Sequence, residues 1–123
     1  PSKILFVGLR NWERGEIKAR QHQYGIKHLT PEEVAADSDA LRAWLKSCGA
    51  SKVVVHFDMD VLDPAEIVAA VGTDPDGMKI EAVIRVINDI AAEKELVGLT
   101  VAEPMPRTAI RLRDMLGRLP LLE

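Results

Sequence analysis

Residues 53–64 read VVVHFDMDVLDP. The run has the apolar content of a buried strand, yet it holds three acidic side chains and a histidine. Burying an unpaired charge is costly, so the acids need a reason to be there. Side chains alternate along a strand. A strand over 52–62 puts Val53, Val55, Phe57, Met59 and Val61 on one apolar face. The other face then carries Val54, His56, Asp58 and Asp60. Two carboxylates so close repel unless something positive lies between them, and a divalent cation is the simplest agent. Carboxylate oxygens with an imidazole nearby suit Mg²⁺ or Mn²⁺ rather than the sulfur-rich sites of structural zinc. A lone histidine on such a face is more often a hydrogen-bonding neighbour than a ligand, so His56 is set beside the site. Asp63 and Pro64 turn the chain away from the strand end. An isolated D-x-D also occurs on exposed strand ends without a metal. Here the alternation, the strand-end position and the closing Asp-Pro favour the metal.

Outward from this strand, apolar and helical patterns alternate. Residues 3–9, KILFVGL, read as a buried strand, followed by a polar loop and a helix over about 14–24 that Gly25 ends. IKHLT, residues 26–30, reads as a short strand. Thr30, Pro31 and Glu33 form a capping box. It opens a helix whose Val34, Leu41, Trp44, Leu45 and Cys48 share a face and which Gly49 stops. After the turn-rich loop VGTDPDG (71–77), a helix over about 78–94 turns Val83, Ile84, Ile87, Ile90 and Ala91 inward. ELVGLTVAE, residues 95–103, is the last strand. A final helix opens at Pro106 or Arg107 and runs to about 117, with Ile110, Leu112, Met115 and Leu116 on its apolar face.

This order predicts one domain over 1–123: a three-layer α/β/α fold with a mostly parallel sheet. In such sheets, chemistry collects beyond the carboxyl ends of the strands. Arg10 and Asn11, Asp58 and Asp60, and Glu103 all fall there. Arg10 is expected to pair with a local acid, Glu13 or Glu16, or else to contact a substrate. Trp44 reads as core. Trp12 reads as core or interface.

Composition narrows the function classes. The chain is 47% hydrophobic with a net charge of −3, and it has no basic stripe for a nucleic-acid backbone. No apolar run reaches the roughly 18–20 residues of a membrane span. One cysteine, Cys48, allows no internal disulfide, and no signal-peptide pattern opens the chain. A cytoplasmic setting is expected.

The string HFDMDVLDP resembles the last metal-binding signature of the arginase and agmatinase superfamily, the ureohydrolases. ILFVGLRNWERGE, GIKHLT, DGMKIEAVIRVI, LVGLTVAEPMP and LRDMLGRLPLL resemble further family segments in the same order. The resemblance implies an arginase-like fold, truncated to the C-terminal half of a family member more than twice this length. It implies a binuclear Mn²⁺ site with Asp58 as the bridging carboxylate and Asp60 on one ion. His56 and Asp63 support the site without binding metal. Glu103 matches the acid that receives the substrate guanidinium. The implied reaction is hydrolysis of a guanidinium C–N bond in arginine, agmatine or a related compound, releasing urea.

Two family motifs of the Gly-Gly-Asp-His and Asp-Ala-His-x-Asp types do not occur here. A catalytically incomplete, non-enzymatic family fragment is therefore a second reading. In the family sheet, a further strand separates the 3–9 and 52–62 strands. Without it these two pair directly or leave exposed parallel edges, and such edges favour a homo-oligomer. An aspartate-dependent phosphoryl-transfer domain is a third reading. The D-x-D lacks the Gly-Thr that follows it in haloacid-dehalogenase phosphatases, and no acidic pair follows the first strand as a phosphoacceptor domain requires.

Overall fold

Gly8 ends the first strand at φ +82°, and its backbone marks where two parts of the chain meet. A Cβ there would collide with Val61 Cγ2 and lie 2.7 Å from Met78 Sδ, so only glycine fits the approach. The structure, a computed structural model, describes residues 1–10, 15–105 and 109–122. Asn11, Trp12, Glu13 and the expected helix opening at Pro106 or Arg107 lie outside them.

The order is β1 (Leu5–Val7), α1 (Gly15–Gln23), β2 (Lys27–Leu29), α2 (Asp39–Ser47), β3 (Lys52–Asp58), α3 (Ile80–Glu93), β4 (Glu95–Ala102) and α4 (Ala109–Leu116). Short 3₁₀ turns span Glu32–Val34 and Met59–Val61. All strand pairing is parallel: β1 with β2, and β3 with β4. The expected alternation of strand and helix is therefore present. Among the described residues β1 does not pair with β3, and the sheet exists as two two-stranded pieces with unpaired edges. Of the two outcomes expected for these strands, the exposed edge is the one that occurs.

The core forms where the alternation predicts. Phe57 is buried, and Val53 and Val55 pack beside it, together with Leu41 and Leu45 of α2 and Val83, Ile84, Ile87 and Ile90 of α3. Full burial of each such side chain contributes about 1.5–3 kcal/mol. Leu112 and Met115 bring α4 into the same core, and Trp44 packs half-buried against it. Val54 on β3 is 65% exposed and Val97 on β4 is 50% exposed, so the opposite face of this pair is open to solvent.

Two expectations need correction. The helix expected from Thr30 to Cys48 is split. Its capping box forms, with Thr30 N–H donating to Glu33 Oε2 at 2.8 Å and Glu33 N–H to Thr30 Oγ1 at 3.4 Å, but it caps only a 3₁₀ turn. The Arg85 guanidinium binds the carbonyls of Val34, Ala35 and Asp37, which a continuous helix would use internally. Asp37 Oδ1 then accepts the Asp39 N–H at 2.9 Å and starts α2 afresh. The second correction concerns β3. It ends at Asp58, not at residue 62, and Asp60 lies in the following turn rather than on the strand face.

Candidate metal centre

Asp58 is the last residue of β3 and also caps the turn that follows. Its Oδ1 accepts the Asp60 N–H at 3.0 Å. This bond holds Asp60 on the same side as Asp58, although strand alternation has stopped. Asp60 Oδ1 in turn accepts the Gly72 N–H at 2.9 Å. Glu103 follows the end of β4, and its φ of +58° lies in the left-handed region that a side chain rarely adopts. Because β3 and β4 run parallel with Asp58 beside Ala102, both carboxyl ends open at one place.

One carboxylate oxygen each from Asp58, Asp60 and Glu103 lies within 4.8 Å of the others. Asp58 and Asp60 are half-buried and Glu103 is exposed. At that separation each pair of charges repels by about 3 kcal/mol at an effective dielectric constant of about 20, and less where solvent screens Glu103. Among the described residues, no lysine or arginine forms an ion pair with any of the three. An all-oxygen donor set of this kind fits one hard divalent cation such as Mg²⁺ or Mn²⁺. Three carboxylates, the one such group among the described residues, supply too few donors by themselves to enclose two.

The other predicted residues sit beside this group. His56 is exposed on β3, and its Nδ1 lies 2.7 Å from Thr100 Oγ1 on β4. Asp63 turns away from the cluster. Its Oδ1 accepts the Ala65 N–H at 2.9 Å and its Oδ2 accepts from Lys79 Nζ at 3.1 Å. The Ala65 N–H first, and the Lys79 ammonium next, hold the Asp63 carboxyl below the usual aspartate range. Arg10 donates to the backbone carbonyls of Asp60, Asp74 and Pro75, while Glu13, one of the acids expected to pair with it, lies outside the described residues. Gly72 went unread in the sequence. A Cβ there would meet the Asp60 carboxylate at 2.7 Å, so its smallness is required. The only signal for it was a glycine early in the loop between the acidic strand and the next helix.

The chain is similar to known proteins over most of its length. A profile of the arginase family matches residues 1–115. The N(omega)-hydroxy-L-arginine amidinohydrolase of Streptomyces lavendulae is 32% identical over 103 residues, covering 84% of this chain and 35% of that protein. An N(1)-aminopropylagmatine ureohydrolase of Thermus thermophilus is 26% identical over 104 residues, with 84% and 34% covered. The chain thus spans about a third of the length of these curated relatives. In fold it matches the Entamoeba histolytica arginase crystallised with L-ornithine at a TM-score of 0.81 and 20% identity, covering 96% of this chain and 43% of that one. It also matches the agmatine ureohydrolase of Thermoplasma volcanium at a TM-score of 0.75 and 21% identity, covering 94% and 40%. With the profile covering nearly all of its length, the chain belongs to the arginase family.

Proposed function

We propose that this chain carries part of a manganese-dependent ureohydrolase centre that cleaves a guanidinium C–N bond to release urea. The observation that supports it is the convergence of Asp58, Asp60 and Glu103 at the carboxyl ends of two parallel strands in an arginase-family chain. Asp58 and Asp60 are the metal carboxylates, with Asp58 bridging. Glu103 receives the guanidinium, because a carboxylate pairs with its planar N–H groups through two parallel hydrogen bonds. His56 and Asp63 shape the surroundings through Thr100 and Lys79. A bound divalent ion would supply an acidified water and charge stabilisation. The substrate is a small guanidino compound: arginine, agmatine or a derivative of either, as the names of the relatives suggest.

A second reading has an observation of its own. No histidine joins the three carboxylates, and among the described residues they form the one such cluster. On that reading the chain by itself binds one divalent ion and does not turn over. The unpaired strand edges and the exposed Val54 and Val97 favour self-association in either case. Among the described residues no helix is long and apolar enough to cross a membrane. Urea release from arginine and agmatine with added Mn²⁺ separates the readings. Turnover that depends on Asp58 supports the hydrolase, and no turnover in any oligomeric state leaves the metal-binding, non-catalytic reading.

A further inference from the structure

Arg10 stands just beyond β1, far in sequence from the acidic turn, and spends its guanidinium on main chain. Nη1 donates to Asp60 O at 3.1 Å and Val61 O at 3.4 Å. Nη2 donates to Leu62 O at 3.4 Å and to Asp74 O at 2.6 Å, and Nε donates to Pro75 O at 2.9 Å. These five carbonyls belong to two segments: the turn that carries Asp60 and the loop that carries Gly72. A planar fork with five N–H donors can hold both at once, whereas a lysine ammonium, a compact point charge, cannot span them in the same way.

The contact that results reaches the carboxylate itself. The Gly72 N–H holds Asp60 Oδ1, and the backbone comes so near that a Cβ at residue 72 would sit 2.8 Å from Oδ2. One oxygen of Asp60 is thereby held by the loop, and the loop backbone packs against the whole carboxylate. The turn and the loop are also joined beyond Arg10, where Met78 N–H donates to Val61 O at 2.8 Å and Asp63 N–H to Met78 O at 2.9 Å. Those bonds close the far end of the loop. At the near end, Arg10 ties the turn to the Asp74 and Pro75 carbonyls, two and three residues past Gly72.

We propose that Arg10 is a positioning residue for Asp60: its guanidinium draws the 72–75 loop onto the Met59–Val61 turn, so that the Gly72 N–H fixes one carboxylate oxygen and holds the carboxylate in place for a cation. The consequence for cation binding rests on the metal-centre reading above. The consequence for Gly72 does not.

The test measures amide hydrogen exchange in the metal-free protein and Mn²⁺ affinity by calorimetry, in wild type, Arg10→Ala and Arg10→Lys. In both variants Gly72 is expected to lose protection by about tenfold or more while amides in the middle of α3 keep theirs. The Mn²⁺ dissociation constant should rise about 10–100-fold, as when a partner that orients a ligand is removed. If Arg10→Ala does not fold, Arg10→Lys carries the same two readings. Wild-type Gly72 protection in the folded variants would overturn the proposal. Parallel loss throughout α3 would also overturn it, by assigning Arg10 to general stability. Loss at Gly72 in a protein whose wild type binds no Mn²⁺ would uphold the positioning role and refute the metal reading instead.

Discussion

The Asp58 carboxylate accepts the backbone N–H of Asp60 at 3.0 Å, so the first acid of the pair fixes the position of the second. The two groups are held together by a local turn while their charges push apart. An asparagine at residue 58 keeps an oxygen for that N–H and removes one charge. Asp58→Asn is therefore expected to leave the metal-free melting temperature unchanged or to raise it. A calorimetric scan without added metal checks this. A fall of several degrees would mean that the carboxylate serves the fold and not a ligand.

Glu103 stands at φ +58° with its side chain exposed. Left-handed backbone costs a side-chain residue about 1–2 kcal/mol, which glycine avoids. Glu103→Gly should therefore be more stable than Glu103→Ala by about 1 kcal/mol in urea denaturation, although both lose the carboxylate. Equal stabilities would show that the backbone there is not under strain.

Three carboxylates are held below their ordinary range, Glu32 chiefly by a hydrogen bond with Thr30, and two of them tie distant parts of the chain together. The Ala65 N–H and then Lys79 depress Asp63, and the Arg118 guanidinium depresses Glu81. Each group keeps more of its charge in the folded state than in the unfolded one. Each therefore contributes stability that is present above the unfolded carboxylate values, about pH 4, and is lost as pH falls through the lower folded values. Melting temperature should drop as pH falls below about 4. The drop should be shallower in Asp63→Asn. An identical acid limb in that variant would show that Asp63 does not contribute to it.

The unpaired edges predict association. In sedimentation the wild type should show a mass above that of the monomer, rising with concentration. Val54→Lys, which places a charge on the open face of β3, should shift it toward monomer. A clean wild-type monomer at every concentration would contradict this.

The strand, the acids and most helices were legible because their signals are local. Alternation from Val53 to Phe57 marked β3, and the spacing of Val83, Ile84, Ile87 and Ile90 marked α3. The misreadings have tertiary causes. Arg85 takes carbonyls about 50 residues away and breaks the helix that the Thr30 capping box announced. Asp60 was placed on the strand face by extending an alternation that Asp58 itself ends by capping a turn. Glu103 was legible as a group at a strand's carboxyl end, but its role came only from the resemblance to a family segment, and its closeness to Asp58 is a matter of register. The main-chain contacts of Arg10 were not legible. Its carbonyl partners lie 50 to 65 residues along the chain, and no local pattern announces them.

On the proposed function, Asp58 and Asp60 are a pair that holds a divalent cation. Mn²⁺ titration by calorimetry, run on wild type beside Asp58→Asn and Asp60→Asn under identical conditions, decides whether they do. Saturable binding of one ion by the wild type is expected, weakened at least about tenfold in each variant. Equal binding by all three proteins, or none by the wild type, would contradict the pairing of these acids with a metal.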